Sequence, residues 1–592
     1  MTSNFAEVDI KTQQSVEGVD FSTPGQLVVA NLDIDSVLVE LTEISLWELS
    51  NYSAVEWWLT DYKSKPDDTN LEKVRGYLEA FYHLSEVEDW ERAKTIIRKK
   101  SGTLIDEELH IQLGSWGYFQ EQVDLCSRLL GKLGVVTDSI CLNTLGLAYD
   151  SLSNYPQAIK YYEQDLMIAR ELKDIRGEGV TLGNLGNAYF SLNFNSQALD
   201  YFEQALVIAQ KIKDRKGEGN ALGNLGNLYG AIANYTKAGE YHSLSLSIAQ
   251  EMNDIKAEGK ALGGLGSAYR HQSSYPKAIE CYQKYLEIAR KIEDRESEGI
   301  ALGNLGNVYS NMGNFSQAIV YHQQHLDIAR KIQNRWEEAN ALKNLGLAYY
   351  SVCNYSQSLK LNQQALQIAR EIQDHEGEGD TLGNLGLNYY SLGNYSLAIK
   401  YYEQHLEISK QIGSVEGEGT ALGNIGNTYY FMGDYLKAVE YAQQHLDIAR
   451  KISDRRGEGT ALLNLGNAYD SLGEVHKAVE VYRQSLEIIQ HIGARQCEGE
   501  ALCNLGITIV QLNKYSEALE YLQAALNIVK ETGQRSTEAI IFYNLVEVYL
   551  KLGDRDMAQE SCDRALVIAT ELDLSDLEEY QELKEQLLSD KT

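Results

Sequence analysis

At 592 residues the chain exceeds what a single hydrophobic core usually supports, so several domains or an array of repeats is expected. Its formal net charge of -32 makes nucleic acid and anionic membrane poor partners for most of the surface. Only 4 prolines argue against a linker-rich chain, and 7 scattered cysteines without a CxxC pair fit a reducing cytoplasm better than a disulfide framework or a zinc site. The opening "MTSNFAEVDIKTQQSVEGVD" has neither a basic start nor an apolar centre, so it does not read as a secretory signal. No apolar run approaches the roughly 18 residues of a membrane span, and no membrane insertion is expected.

Residues 1–70 are dense in apolar and aromatic side chains, with Trp47, Trp57 and Trp58 close together. They read either as a cap over the open face of a helical stack or as a docking segment for another protein. Residues 71–136 carry two degenerate helix-turn-helix rhythms, at 79–97 and 109–134.

From 137 to 572 one unit recurs eleven times without gaps. Glycine stands at 146, 186, 226, 266, 306, 346, 386, 426, 466 and 506, always after Leu or, once, after Ile425. Alanine follows twelve residues later, from Ala158 to Ala518, with Ser358 the exception, and an eleventh copy has Val546 in the glycine slot. Each unit reads as two helices. Leu422, Ile425 and Tyr429 form an apolar stripe on the first, and Ala438, Tyr441, Ala442, either His445 or Leu446, and Ala449 form one on the second. Between them "MGDY" or "LGNY" supplies a turn glycine and then a capping Asn or Asp, at Asn154, Asn234, Asn314, Asn394 and Asp434. The order inverts at Phe194–Asn195, which predicts a shifted cap there. At a join such as "KIKDRKGEGNA" Asp214 precedes the next helix, and Glu recurs in its first turn at all ten joins from Glu178 to Glu538. Helix-dipole or inter-repeat bonding is the expected role of these glutamates. Residues 573–592 read as a capping helix, with Ser575 and Glu578 at capping-box spacing.

The set Leu182, Leu185, Gly186, Tyr189, Ala198, Phe202 and Ala205 resembles the tetratricopeptide repeat, with Leu where that family often has Trp and no closing Pro. The 40-residue variant resembles the repeats of the Partner of Inscuteable adaptors and of large bacterial, notably cyanobacterial, repeat proteins. The resemblance implies an all-α fold, a right-handed α-solenoid of stacked antiparallel helix pairs. Two features of those relatives are not read here: a G-protein α-binding motif after residue 572, and a fused protease-like or nucleotide-binding domain. The scaffold hosts many roles, so function does not follow from it alone.

In that family the face beside the first-helix stripe lines a concave groove where extended peptides lie. Projected onto this chain, that face holds Asn184, Asn224, Asn304, Asn344, Asn384, Asn424, Asn464, Asn504 and Asn544 in one slot. The slot three residues on holds Asn187, Asn227, Asn307, Asn427 and Asn467, interrupted by Ser267, Leu347, Leu387 and Ile507. Asparagine costs roughly 0.5 kcal/mol or more against alanine inside a helix, so its recurrence needs a compensating role. A carboxamide both donates and accepts, and can pair with a peptide backbone whatever the ligand's side chains. It can equally bond across to the next unit, and the sequence leaves both roles open. Gly183, Gly223, Gly303, Gly383 and Gly423 would admit a ligand backbone closely. In the variable slots Lys260, Arg270, His271 and Lys343 form an island of positive charge, followed by Tyr350, Tyr390, Tyr430 and Phe431. The ligand implied is a peptide with an acidic part and an apolar part.

"GEGNALGNLG" lacks the GxGxxG spacing and recurs inside a helix, so no nucleotide loop is read. His242, His322, His325, His405 and His445 show no metal-ligand pattern and are expected to be packing or surface residues. No nucleophile–base set is present at a usable spacing. The sequence reads as a non-enzymatic cytoplasmic adaptor without cofactor or metal, binding protein or peptide and no nucleic acid. The second reading is a regulatory subunit whose N-terminal aromatic segment docks on a separate effector. Self-association is left open.

Overall fold

The computed structural model describes residue 32 and residues 45–65, 68–98, 108–572, 574 and 577–589. The described residues form an all-α fold of 28 helices with no strand, in which consecutive helices pack in pairs. The chain divides into two compact units, Met1–Val308 and Tyr309–Thr592. Within each, the first helices of successive repeats also touch one another.

The first unit begins with the helix Leu46–Thr60 against Asn70–Glu86. Tyr52, Val55 and Leu59 join Leu78, Phe81 and Leu84 in one core, to which Leu32 also belongs. Tyr52 donates to Asp89 at 3.0 Å, and the His83 ring meets Asn51 at 2.8 Å. The remaining residues of the segment 1–44, where the cap or docking role was expected to begin, lie outside the described residues.

From Val135 onwards the repeats alternate a first helix, such as Ile175–Ser191, with a second, such as Asn195–Lys211. The turn between them needs one residue in the left-handed region. Glycine supplies it at Gly313, Gly393, Gly433, Gly473 and Gly553, but Ser153, Asn193, Ala233, Ser273, Cys353 and Asn513 adopt it too, at φ 57–61°. The sequence reading of a turn glycine therefore holds for only part of the array. The side chains of Asn154, Asn234, Asn314, Asn394 and Asp434 each accept from the backbone N–H three residues on. At the inverted turn the cap is lost rather than shifted: Phe194 occupies the cap position, and the Asn195 Oδ1 is buried inside the helix without a partner.

The repeated glycine has a steric cause. A Cβ on Gly186 would lie 2.5 Å from the Phe202 ring, and one on Gly386 would lie 2.5 Å from the Tyr402 ring. The same overlap occurs at Gly146 with Tyr162 and at Gly466 with Tyr482. Each ring is almost wholly buried, laid flat on the first helix of its own repeat. Only a residue without a side chain permits that approach.

The repeated glutamate is a tie between successive repeats. Glu298 accepts from Arg290 at 2.8 Å and Arg295 at 2.7 Å; Glu458 accepts from Arg450 at 2.9 Å and Arg455 at 2.6 Å. At other joins a second arm of the arginine that opens the first helix reaches the end of the second helix of its own pair, as Arg495 to Glu531 at 2.8 Å and Arg535 to Glu571 at 2.7 Å. The carboxylates are buried while the arginines are about half exposed, so each charge-assisted bond contributes toward the lower end of about 1.5–3 kcal/mol. At the C-terminus the helix Leu577–Ser589 packs Tyr580 against Tyr543, ring centroids 5.1 Å apart. Ser575, half of the expected capping box, lies outside the described residues.

Candidate peptide-binding face

Packing the glycine side of each first helix against a ring turns its other side outward. On Arg215–Ala231 that outward stripe carries Asn224 and Asn227; on Val415–Phe431 it carries Glu416, Thr420, Asn424 and Asn427. All of these asparagines are half-buried, their backbones tied into the helix.

The open question was whether the carboxamides bond within the protein. Those of Asn184, Asn187, Asn224, Asn227, Asn304, Asn307, Asn344, Asn424 and Asn464 make no side-chain hydrogen bond among the described residues. Others do. Asn504 donates to Asn467 in the preceding repeat at 3.0 Å, and Asn467 also accepts from the Tyr482 hydroxyl at 2.7 Å. Asn384 reaches the buried Asn362 at 3.4 Å, Asn544 donates to the Ile540 carbonyl at 2.8 Å, and Asn427 donates to the Tyr390 hydroxyl at 3.2 Å. Inter-repeat bonding thus accounts for particular rungs and not for the slot as a whole.

The missing rung has a cause as well. At residue 264 glycine replaces asparagine because the buried His242 ring stands against it; the same ring lies 2.7 Å from a Cβ built on Gly226. The glycines expected to admit a ligand backbone are mostly covered from within. A Cβ on Gly383 would meet His405 at 3.3 Å, one on Gly423 would meet His445 at 2.9 Å, and one on Gly223 would meet Ser245 at 3.6 Å. Gly183 alone of these four faces open space.

Those contacts make the histidines packing residues, one of the two roles expected of them. His242, His322, His325 and His405 are buried in the second helices, and His445 is half-buried. Burial pushes His242 down to about 4, and burial with the neighbouring His325 pushes His322 down to about 3. His325 Nε2 lies 2.9 Å from Glu337. Sequence periodicity could have flagged them, because they occupy the slots held elsewhere by Tyr162, Phe202 and Ala205.

The family models now decide the kinship. A tetratricopeptide repeat model matches residues 178–251, 258–331, 337–411 and 417–491, half of the chain, and a second matches 142–176 and 541–578. The chain belongs to the tetratricopeptide repeat family. A model described as anaphase-promoting complex subunit 5 matches residues 492–555. Among solved structures, a Rap protein complexed with competence and sporulation factor is similar at 14% identity and TM-score 0.42, over 58% of this chain and 99% of that one. A signal transduction ATPase with a tetratricopeptide repeat sensor, from Pyrococcus horikoshii, is similar at 14% identity and TM-score 0.43, over 76% and 68%. Aspartyl phosphate phosphatase F from Bacillus subtilis is similar at 13% identity and TM-score 0.40, over 66% and 95%. No curated protein sequence matches. No helix among the described residues is long and apolar enough to cross a membrane.

On this tetratricopeptide face the expected positive island is weaker than its residue types imply. Lys343 is paired with Asp380 at 2.8 Å. Arg270 donates to His271 Nε2 at 2.8 Å, and the His271 ring stacks on Tyr235 with centroids 4.5 Å apart. Burial and that arginine hold His271 below the usual histidine range. Lys260 also has a partner. The tyrosines are rungs of a different kind. The Tyr350 and Ser391 hydroxyls lie 2.8 Å apart, and the Tyr430 hydroxyl accepts from Ser471 at 3.4 Å, each bond crossing to the next repeat. Phe431, half exposed, stands edge-on to both Tyr390 and Tyr430 at 5.6 and 5.3 Å.

Proposed function

We propose that this tetratricopeptide protein is a non-catalytic scaffold that holds segments of partner proteins against the outward faces of its first helices. The observation that carries the reading is the set of half-buried carboxamides without an internal partner, repeated at one slot despite their helix cost. Each bond they make to a ligand backbone is worth about 0.5–1.5 kcal/mol net, so four or five together offset much of the cost of association. A family whose repeats bind peptides, and a repeat register resembling that of polarity adaptors, support the same reading. The test is capture of partners from a lysate of the source cells with wild type and with Asn224, Asn344, Asn424 and Asn464 all changed to Ala. Loss of a wild-type partner with the fold retained by circular dichroism supports the scaffold; retention of every partner contradicts the carboxamide role.

A second reading, docking of the whole chain on a separate effector, rests on the helix Leu46–Thr60. Its outer side leaves Leu46 87%, Trp47 54% and Trp57 50% exposed. Trp58 does not share that role, because it packs against Tyr62 and Arg75. Partners lost with Trp47 and Trp57 changed to Ala, but kept by the asparagine variant, favour this second reading.

A further inference from the structure

In the second unit the outward stripes of three successive first helices carry amides in the middle and apolar residues toward their C-terminal ends. Toward the N-terminal end the first has Trp336, 44% exposed, whereas the second and third have Glu376 and Glu416, exposed and without an ion pair among the described residues, and the charge of Lys343 is offset by Asp380. In the middle come Asn344, Asn384 and Asn424. Toward the C-terminal ends come Leu347, Tyr350, Leu387, Tyr390, Tyr430 and Phe431, with Leu347 43% and Phe431 53% exposed. Where the second asparagine of the ladder is replaced by leucine, at 347 and 387, the residue three further on is tyrosine, and in the next repeat Tyr430 follows Asn427 at the same spacing, so the apolar surface runs on beside the amides.

We propose that this part of the face binds an extended segment with apolar residues along one edge and Lys or Arg along the other, a refinement that rests on the scaffold reading above. Two features fix the occupant. Uncompensated acid on one side of the amides selects cations on the matching edge of the ligand. The rungs repeat at the spacing of packed helices, about 8–10 Å. A polyproline II chain rises about 3.1 Å per residue with three residues per turn, so every third side chain returns to the same edge after about 9 Å. An apolar residue at every third position therefore meets one rung after another. A β-strand, with its two-residue alternation, does not keep that register.

The probe is a fluorescent peptide of four Leu-Pro-Lys repeats, titrated into the full-length protein by anisotropy at physiological salt. Four Ser-Pro-Lys repeats remove the apolar edge at constant charge, and four Leu-Pro-Glu repeats reverse the charge. The expected result is binding of the first peptide, at least tenfold weaker binding of the second, and none of the third. Leu347→Ala with Phe431→Ala should weaken the first peptide at least tenfold, and Glu376→Gln with Glu416→Gln severalfold; all four residues are exposed, so the helical circular dichroism spectrum at the titration temperature should be unchanged. Equal binding of the serine peptide, indifference to Leu347→Ala and Phe431→Ala, or failure of the first peptide to bind overturns the proposal. If lysate partners depend on the asparagines but not on Leu347 and Phe431, the scaffold reading stands and this subsite does not.

Discussion

Gly186 and Asn184 sit two residues apart on one helix, and their counterparts recur through the array with the same spacing, yet opposite causes hold them. The glycine faces inward, where the Phe202 ring leaves no room for a Cβ. The asparagine faces outward, half-buried, and its carboxamide makes no side-chain hydrogen bond among the described residues. Repetition alone therefore does not separate structure from function. The discriminating observation is whether the repeated side chain has a partner inside the protein. Where it does, as at Asn504 with Asn467, the residue belongs to the architecture.

The largest effect expected on the inward side is acid sensitivity. His242 is buried between two glycines with its Nδ1 unpartnered, and its pKa is held at about 4 against an ordinary 6.5. A folded-state pKa below the unfolded one stabilises the protein fully above pH 6.5 and loses that contribution as pH falls toward 4, about 3 kcal/mol in all. His242→Phe, the residue of the equivalent slot at 202, should flatten the fall in melting temperature between pH 7 and pH 4.5; an unchanged slope would show that this histidine does not report the seam.

Next comes the seam glycine itself. Gly386→Ala should cost about 1–3 kcal/mol by forcing the Tyr402 ring aside, whereas Gly183→Ala, facing open space, should stabilise by about 0.5–1 kcal/mol. Equal effects at the two sites would erase the distinction between inner and outer glycines. Glu458→Gln, which keeps shape but removes the charge that Arg450 and Arg455 share, should cost about 1–2 kcal/mol in denaturant unfolding. Smaller still, Asn504→Ala should cost about 1 kcal/mol for its bond to Asn467, less the helix propensity regained.

The helix pairs and most of the caps were legible in the sequence because they depend on local rules: apolar spacing, a capping side chain, a charge at a helix end. The roles of the residues on the outward face were less so. Lys343 reads as a free cation until Asp380 is found beside it, 37 residues away, and Gly423 reads as an opening until His445 covers it from the second helix. Both facts are contacts between helices, and the side chains that make them vary from repeat to repeat. Leu347 and Leu387 were visible only as interruptions in an asparagine series; the tyrosines three residues on give them a shared surface.

The most direct test of the account is the melting of the protein with Asn224, Asn344, Asn424 and Asn464 changed together to Ala. Because these carboxamides have no internal partner, the account predicts a transition at or above that of wild type, each alanine returning roughly 0.5 kcal/mol of helix propensity. A transition lowered by several degrees would mean that the asparagines hold the repeats together, and would contradict their assignment to a ligand.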